Sequence, residues 1–64
     1  MTNYISTENT QYDEKTTRAI VDELKKLGWN VEYGEGLPWQ FESEWERDDF
    51  EMAWIEAERK ATSN

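Results

Sequence analysis

The segment from residue 43 to residue 61 constrains the fold most, because it combines a helix-start signal with a helical repeat of apolar residues. Ser43 followed three residues later by Glu46 is a capping box, in which the serine hydroxyl accepts from the Glu46 amide and the Glu46 carboxylate accepts from the Ser43 amide. The repeat puts five residues on the side that a helix packs against a core: Phe50, Ala53, Trp54, Ala57 and Ala61. We therefore expect a long helix that starts at Ser43.

The opposite side of the same predicted helix carries three more large apolar residues, Trp45, Met52 and Ile55. They lie among carboxylates, and this second apolar edge is the sequence feature that most favours a functional interpretation. The predicted partner-binding site consists of seven residues: Glu44, Trp45, Asp48, Asp49, Glu51, Met52 and Ile55.

A second helix is predicted from Asp13 to Leu27. Asp13 is a suitable N-cap, and Ile20 and Leu24 repeat at helical spacing on one face. Gly28 stands where a left-handed residue ends a helix, and Trp29 follows as the apolar residue that folds back on the last turn.

Two alternating runs, residues 29–33 and 39–42, predict a β-hairpin between the two helices, with a glycine-containing turn at residues 34–36. Residues 1–12 are polar and are predicted to be a flexible arm, with a short edge strand at Tyr4 and Ile5 as the alternative. The expected fold is a small single α+β domain over residues 13–62, in the order helix, strand, strand, helix, with both helices on the hairpin. The predicted core is Ile20, Leu24, Leu27, Trp29, Val31, Tyr33, Trp39, Phe41, Phe50, Ala53, Trp54 and Ala57.

Composition narrows the classes of function. With 64 residues and neither Cys nor His, the chain lacks the usual structural zinc ligands, the commonest general base and the strongest nucleophile. Glu44 and Asp48 are four residues apart and could share a hard cation, but Ca²⁺ takes six to eight oxygen ligands. We expect no enzyme, no cofactor and no metal site.

The net charge of −8 is unevenly distributed, since residues 29–58 hold ten acids against Arg47 alone. This field opposes direct binding to nucleic acid or to an anionic membrane and favours a basic protein surface. We see neither a secretory signal nor a membrane span, and the absence of Cys fits a reducing compartment, so a cytoplasmic location is expected.

Two functional hypotheses follow. In the first, the carboxylates imitate a row of phosphates and occupy the basic site of a nucleic-acid-handling protein. In this use of acidity the chain resembles small phage-encoded inhibitors and DNA mimics as a class, and the resemblance is one of composition. In the second, Trp45, Met52 and Ile55 dock onto another protein or a second copy of this chain, with no link to nucleic acid.

The plainer interpretation of both features is structural. Excess acid alone keeps a small domain with four Trp residues soluble, and Trp45 could pack over the hairpin edge.

Overall fold

The computed structural model describes residues 2–35 and 40–63, and four elements follow one another through them. These are strand β1 (Asn3–Ile5), helix α1 (Glu14–Lys26), strand β2 (Val31–Tyr33) and helix α2 (Glu44–Thr62). The strands form one two-stranded sheet, α1 contacts β2, and α2 packs against α1. The predicted class, a small α+β domain with two helices and a two-stranded sheet, is confirmed.

The partner of β2 differs from the prediction. β2 pairs in parallel with β1, with Tyr4 opposite Glu32 in the register. The predicted hairpin is therefore wrong: residues 40–42 form no strand, and Trp39 lies outside the described residues. Parallel strands need a crossover connection of about a dozen residues, and α1 supplies it here. The alternative for the N-terminal segment, a short strand at Tyr4 and Ile5, is what the structure shows.

Helix α1 begins and ends as its sequence predicts. The Asp13 carboxylate accepts from the Thr16 amide at 2.8 Å. At the other end Gly28 has a φ of 98°, the Trp29 amide donates to the Leu24 carbonyl at 3.1 Å, and the Gly28 amide donates to the Lys25 carbonyl at 3.0 Å. This pair of bonds is the Schellman motif, which satisfies carbonyls that the helix leaves without partners and turns the chain toward β2.

The core forms where α1 meets the sheet and α2. Its buried apolar members are Ile5, Ile20, Val21, Leu24, Val31 and Ala57. Half-buried side chains pack around this cluster: Tyr12, Trp29, Tyr33, Phe50, Ala53, Trp54 and Ala61.

Two parts of the predicted core need correction. Leu27 is 42% exposed, because it is the C-cap residue and lies past the last turn that α1 buries. Two buried residues are absent from the predicted core: Ile5, 4% exposed, because its segment is predicted to be an arm, and Val21, 2% exposed, on α1. Phe41 is half-buried against Phe50, and the predicted core residue Trp39 lies outside the described residues.

Contacts between aromatic rings hold α2 against the rest of the domain, and the Phe50 ring of α2 takes part in three of them. The Phe50 ring meets Trp29 edge to face at 5.2 Å between centroids, Phe41 at 5.4 Å and Trp54 at 6.1 Å. Such pairs contribute about 0.5–1.5 kcal/mol each beyond their buried area. They fix which side of α2 faces inward, and thereby which side faces out.

Candidate partner-binding site

The outward side of α2 presents the three apolar residues that the sequence singled out. Trp45 is 81% exposed, Met52 74% and Ile55 63%. We call these three residues the outer strip. They are the most exposed large apolar side chains described, and Trp45 is too exposed to be covering any strand edge. The inner side of α2 is as predicted, with Ala57 fully buried and Phe50, Ala53, Trp54 and Ala61 against the core.

The rotation of α2 about its axis is set by the cap and by the inner side. The Ser43 hydroxyl accepts from the Glu46 amide at 3.2 Å, as predicted. The Glu46 carboxylate accepts from the amide of Glu42 at 3.4 Å, one residue before the predicted Ser43 amide. With this start, the residues seven apart, Trp45 and Met52, follow one another along the outside of the helix.

Carboxylates flank the outer strip on both sides. Trp45 and Met52 form a line along the helix. The residues four positions after them lie on one side of this line, and the residues one position before them lie on the other side. Asp49 and Glu56 occupy one side, and Glu44 and Glu51 the other. Asp48 lies within the strip itself, three residues after Trp45. The site therefore has an apolar centre and an acidic border.

Most of this border forms no ion pair with the residues that the structure describes. Among residues 2–35 and 40–63, Glu44, Asp48, Asp49 and Glu51 form no ion pair. Glu56 is the exception, with its carboxylate 3.5 Å from the Lys60 ammonium. Like charges at three- and four-residue spacing destabilise a helix by roughly 0.2–0.5 kcal/mol per pair, so the free protein retains an unrelieved repulsion at this site.

Helix α1 shows the contrast. It carries four basic residues and three acidic ones. Arg18 pairs with Glu14 within the helix at 3.0 Å, and Lys25 pairs with Glu32 of β2 at 2.7 Å. Helix α2 carries seven acidic residues and three basic ones. Since both helices have a well-packed inner side, the acid of α2 is a property of its outer surface.

The apolar surface extends beyond the outer strip in one direction that the sequence did not predict. An open groove of about 490 Å³ between the end of α1 and α2 has Leu27, Trp29, Met52 and Ala53 in its lining, with Asp49, Glu56 and Arg59 also bordering it. The exposed Leu27 thus joins Met52 in one patch. Only the tertiary packing of the helices brings these two residues together, so no local sequence signal could have found this part.

Among the described residues, two side chains have a pKa shifted from its ordinary value, and both lie away from the outer strip. The hydrogen bond that the Tyr12 hydroxyl donates to Glu58 at 2.7 Å raises the pKa of Tyr12, with burial as a second cause. The hydrogen bonds from Thr16 hold the pKa of Asp13 below its usual value. Both shifts come from structural contacts that anchor the segment before α1.

In the described part of the chain, no three carboxylates come close enough together to hold a metal ion. Neither α1 nor α2 is long and apolar enough to cross a bilayer.

Comparisons with protein-family models, curated proteins and solved structures gave no significant match for the chain.

Proposed function

We propose that this chain is a small acidic protein-binding module that docks a basic protein surface through the outer face of α2. The observation that carries the proposal is the exposed outer strip with its neighbouring carboxylates, of which Glu44, Asp48, Asp49 and Glu51 form no ion pair among the described residues and Glu56 pairs with Lys60. The proposed partner is a nucleic-acid-handling protein, because clustered Lys and Arg are what such a protein reserves for phosphates. The chain then acts as an inhibitor that occupies a basic site by charge mimicry.

The outer strip adds an apolar anchor to the charge attraction in this proposal. Trp is among the residues most enriched at the centres of interfaces, and truncation of such an anchor typically costs 2 kcal/mol or more, that is, roughly a 30-fold change in affinity. A pure imitation of phosphates needs no apolar anchor, so Trp45, Met52 and Ile55 indicate a protein surface with a complementary apolar patch.

The carboxylates select the partner and speed its approach. Spaced negative charge on a helix steers a basic protein into place, and this effect weakens as salt screens it. Cations of the partner also relieve the repulsion among Glu44, Asp48, Asp49 and Glu51. Part of the free energy of binding therefore comes from repulsion that is present in the unbound protein.

The alternative partner, a second copy of this chain, is opposed by the same border. If two outer strips packed together in parallel, Glu51 of one copy would face Glu56 of the other. In the antiparallel arrangement, the side of the strip that carries Glu51 would face the same side of the other copy, and so would the side that carries Asp49. Both orientations therefore bring like charges together. A net charge of −8 on each copy adds to the repulsion.

The proposal assigns no catalytic step, because the chain has neither His, the commonest general base, nor Cys, the strongest nucleophile. It assigns no direct contact with nucleic acid, since the charge has the wrong sign. A cytoplasmic location belongs to the proposal and is supported by the cysteine-free composition.

The test is affinity capture by the tagged chain from lysate of its natural host, eluted in steps of increasing salt, with proteins identified by mass spectrometry. We expect a nucleic-acid-handling protein that is released near ~0.3–0.5 M salt, where long-range attraction is screened. Two variants accompany the wild type: Trp45→Ala, and the triple change Asp48→Asn, Asp49→Asn, Glu51→Gln. Both should lose the partner.

A matched control removes three charges elsewhere: Glu8→Gln, Asp22→Asn and Glu35→Gln. These residues are exposed and lie off α2, so the net charge changes by the same amount while the outer face is intact. The control should retain the partner. Equal capture by the α2 triple variant and the wild type would contradict the proposal, as would a partner that carries no basic surface.

A further inference from the structure

The described sheet ends at β1, and the outer edge of β1 has an unpaired backbone group. The Asn3 amide donates to the Asn30 carbonyl at 3.1 Å, and the Gly34 amide donates to the Ile5 carbonyl at 3.3 Å. The backbone groups of Asn3 and Ile5 therefore face β2. Because backbone direction alternates along a strand, the N–H and C=O of Tyr4 point away from β2, and they form no hydrogen bond within the described residues.

An apolar groove lies beside this edge. It has a volume of about 550 Å³ and separates β1 from α2, with Arg47 and Glu51 also bordering it. Phe50 and Trp54 face it from α2 and remain half-buried. In a two-layer α+β fold a helix covers a sheet, and here residues of β1 and of α2 line the two sides of the groove. The apolar lining is Tyr4, Ile5, Phe41, Phe50, Trp54 and Ile55.

We infer that the edge of β1 and this groove form a strand-addition site, which takes an extended segment of a basic partner protein. An extended backbone is the ligand that satisfies the Tyr4 N–H and C=O together. Side chains at every second position of that segment enter the groove and contact Trp54.

The site is short and has a defined end. The Ser6 amide is already occupied by the Asn9 side chain at 3.1 Å, and the Ser6 carbonyl accepts from the Asn9 amide at 2.9 Å. The turn from Ser6 to Asn9 closes the edge, so the added strand is centred on Tyr4.

Charge selects a basic segment over the β1 strand of a second copy. Two chains of net charge −8 repel each other, whereas Lys or Arg on the added segment is attracted. Glu51 and Tyr4 both border the groove, and Tyr4 is 42% exposed, so a cation on the added segment meets a carboxylate or an aromatic face at the groove border. The inference does not depend on the outer strip, apart from Ile55, which borders both surfaces.

The first test needs no ligand and follows amide hydrogen exchange in the free protein. The Ile5 amide, which faces β2, should be protected, and the Tyr4 amide should exchange without protection. A protected Tyr4 amide would overturn the inference, because the edge would already be paired.

The second test uses a synthetic peptide of alternating Val and Lys as the probe. Adding it to the full chain should protect the Tyr4 amide. Two N-methylated versions of the peptide serve as a matched pair: methylation of the amides in the pairing phase should weaken binding by about tenfold or more, and methylation in the other phase should leave it unchanged. Equal binding of the two versions, or no binding of the parent peptide, overturns the inference.

The protein offers its own matched pair in Tyr4→Pro and Tyr4→Val. Proline at residue 4 removes the outward N–H and costs no bond to β2, while valine keeps the N–H and the strand. Both variants should keep the helical circular dichroism of the wild type, and only Tyr4→Pro should lose the peptide. If Tyr4→Pro does not fold, the two methylated peptides decide the matter.

The two proposals fail separately. Trp45→Ala should bind the Val and Lys peptide as the wild type does, and Tyr4→Pro should still capture the partner of the outer strip if that partner docks on α2 alone. Loss of peptide binding in Trp45→Ala would overturn the strand-addition site, because the peptide would then be bound by the outer strip.

Discussion

Replacing Trp45 by alanine should leave the stability of the fold nearly unchanged, and this prediction tests whether the outer strip is surface or core. Trp45 is 81% exposed, so about a fifth of its area is covered, on the order of 50 Å² for so large a side chain. At about 25 cal/mol per Å² that burial contributes roughly 1 kcal/mol. Alanine regains about 0.5 kcal/mol of helix propensity. The net change in unfolding free energy should therefore be below about 1 kcal/mol.

The assay is urea unfolding followed by the circular dichroism of the helices, since removing a tryptophan would change a fluorescence signal by itself. Ile20→Val is the reference for a core change, because Ile20 is fully buried and such a truncation costs about 0.5–1.5 kcal/mol. A chain of this length is stable by roughly 3–10 kcal/mol, so larger core truncations risk unfolding it. A loss of more than about 2 kcal/mol in Trp45→Ala would refute the outward placement of the strip.

Four further perturbations follow from the charges and contacts. The melting temperature should rise from low salt to ~0.3 M salt as the acidic surface is screened, and a fall would contradict the described repulsion. Gly28→Ala should cost about 1 kcal/mol in urea unfolding, because φ is 98° and the new methyl group meets no neighbour, while D-alanine there should cost nothing. The pKa of Asp13 is lowered in the folded protein, so its carboxylate stabilises the fold at pH above the pKa of the unfolded state. In the wild type this contribution is lost as pH falls below about 4, and the melting temperature of Asp13→Asn should therefore fall less over the same range. The hydrogen bond to Glu58 raises the pKa of Tyr12, so this contact stabilises the fold until pH rises past about 10. The melting temperature of Tyr12→Phe should therefore fall less than that of the wild type above this pH, and an equal fall would exclude the contact.

The helices could be predicted from the sequence because their signals are local. Asp13, Gly28 and Ser43 act on residues within one turn, and the repeats of α1 and α2 extend over several turns. The inner side of α2 follows from the same repeat. The helix ends and the inner side of α2 are thus determined by residues that are close to them in the sequence.

The strand pairing could not be predicted, because it is decided by residues far apart in the chain. β1 has three residues, too few for an alternation to identify a strand, and its pairing with β2 depends on α1 carrying the chain back in parallel. The alternation of residues 29–33 predicted β2, but the similar run at residues 39–42 suggested the wrong partner. The consequence for function is the open edge at Tyr4, which the predicted hairpin would have left undetected.

The candidate site divides in the same way. Exposure of Trp45, Met52 and Ile55 follows from helical geometry once the inner side is known, so the seven predicted residues do lie on one outward face. The addition of Leu27 to that face depends on how the end of α1 meets α2. No sequence pattern predicts that Leu27 and Met52 lie close together.

The most direct test of the central claim is competition between this chain and nucleic acid for the captured partner. The partner is purified and bound to a labelled oligonucleotide of the kind it recognises, and the wild-type chain is titrated in at physiological salt. The account predicts displacement by the wild type and by the variant with changes at Glu8, Asp22 and Glu35. The variant with changes at Asp48, Asp49 and Glu51 should not displace the oligonucleotide. A ternary complex, in which the partner holds the oligonucleotide and this chain together without loss of affinity for either, would contradict the claim that α2 occupies a basic nucleic-acid site.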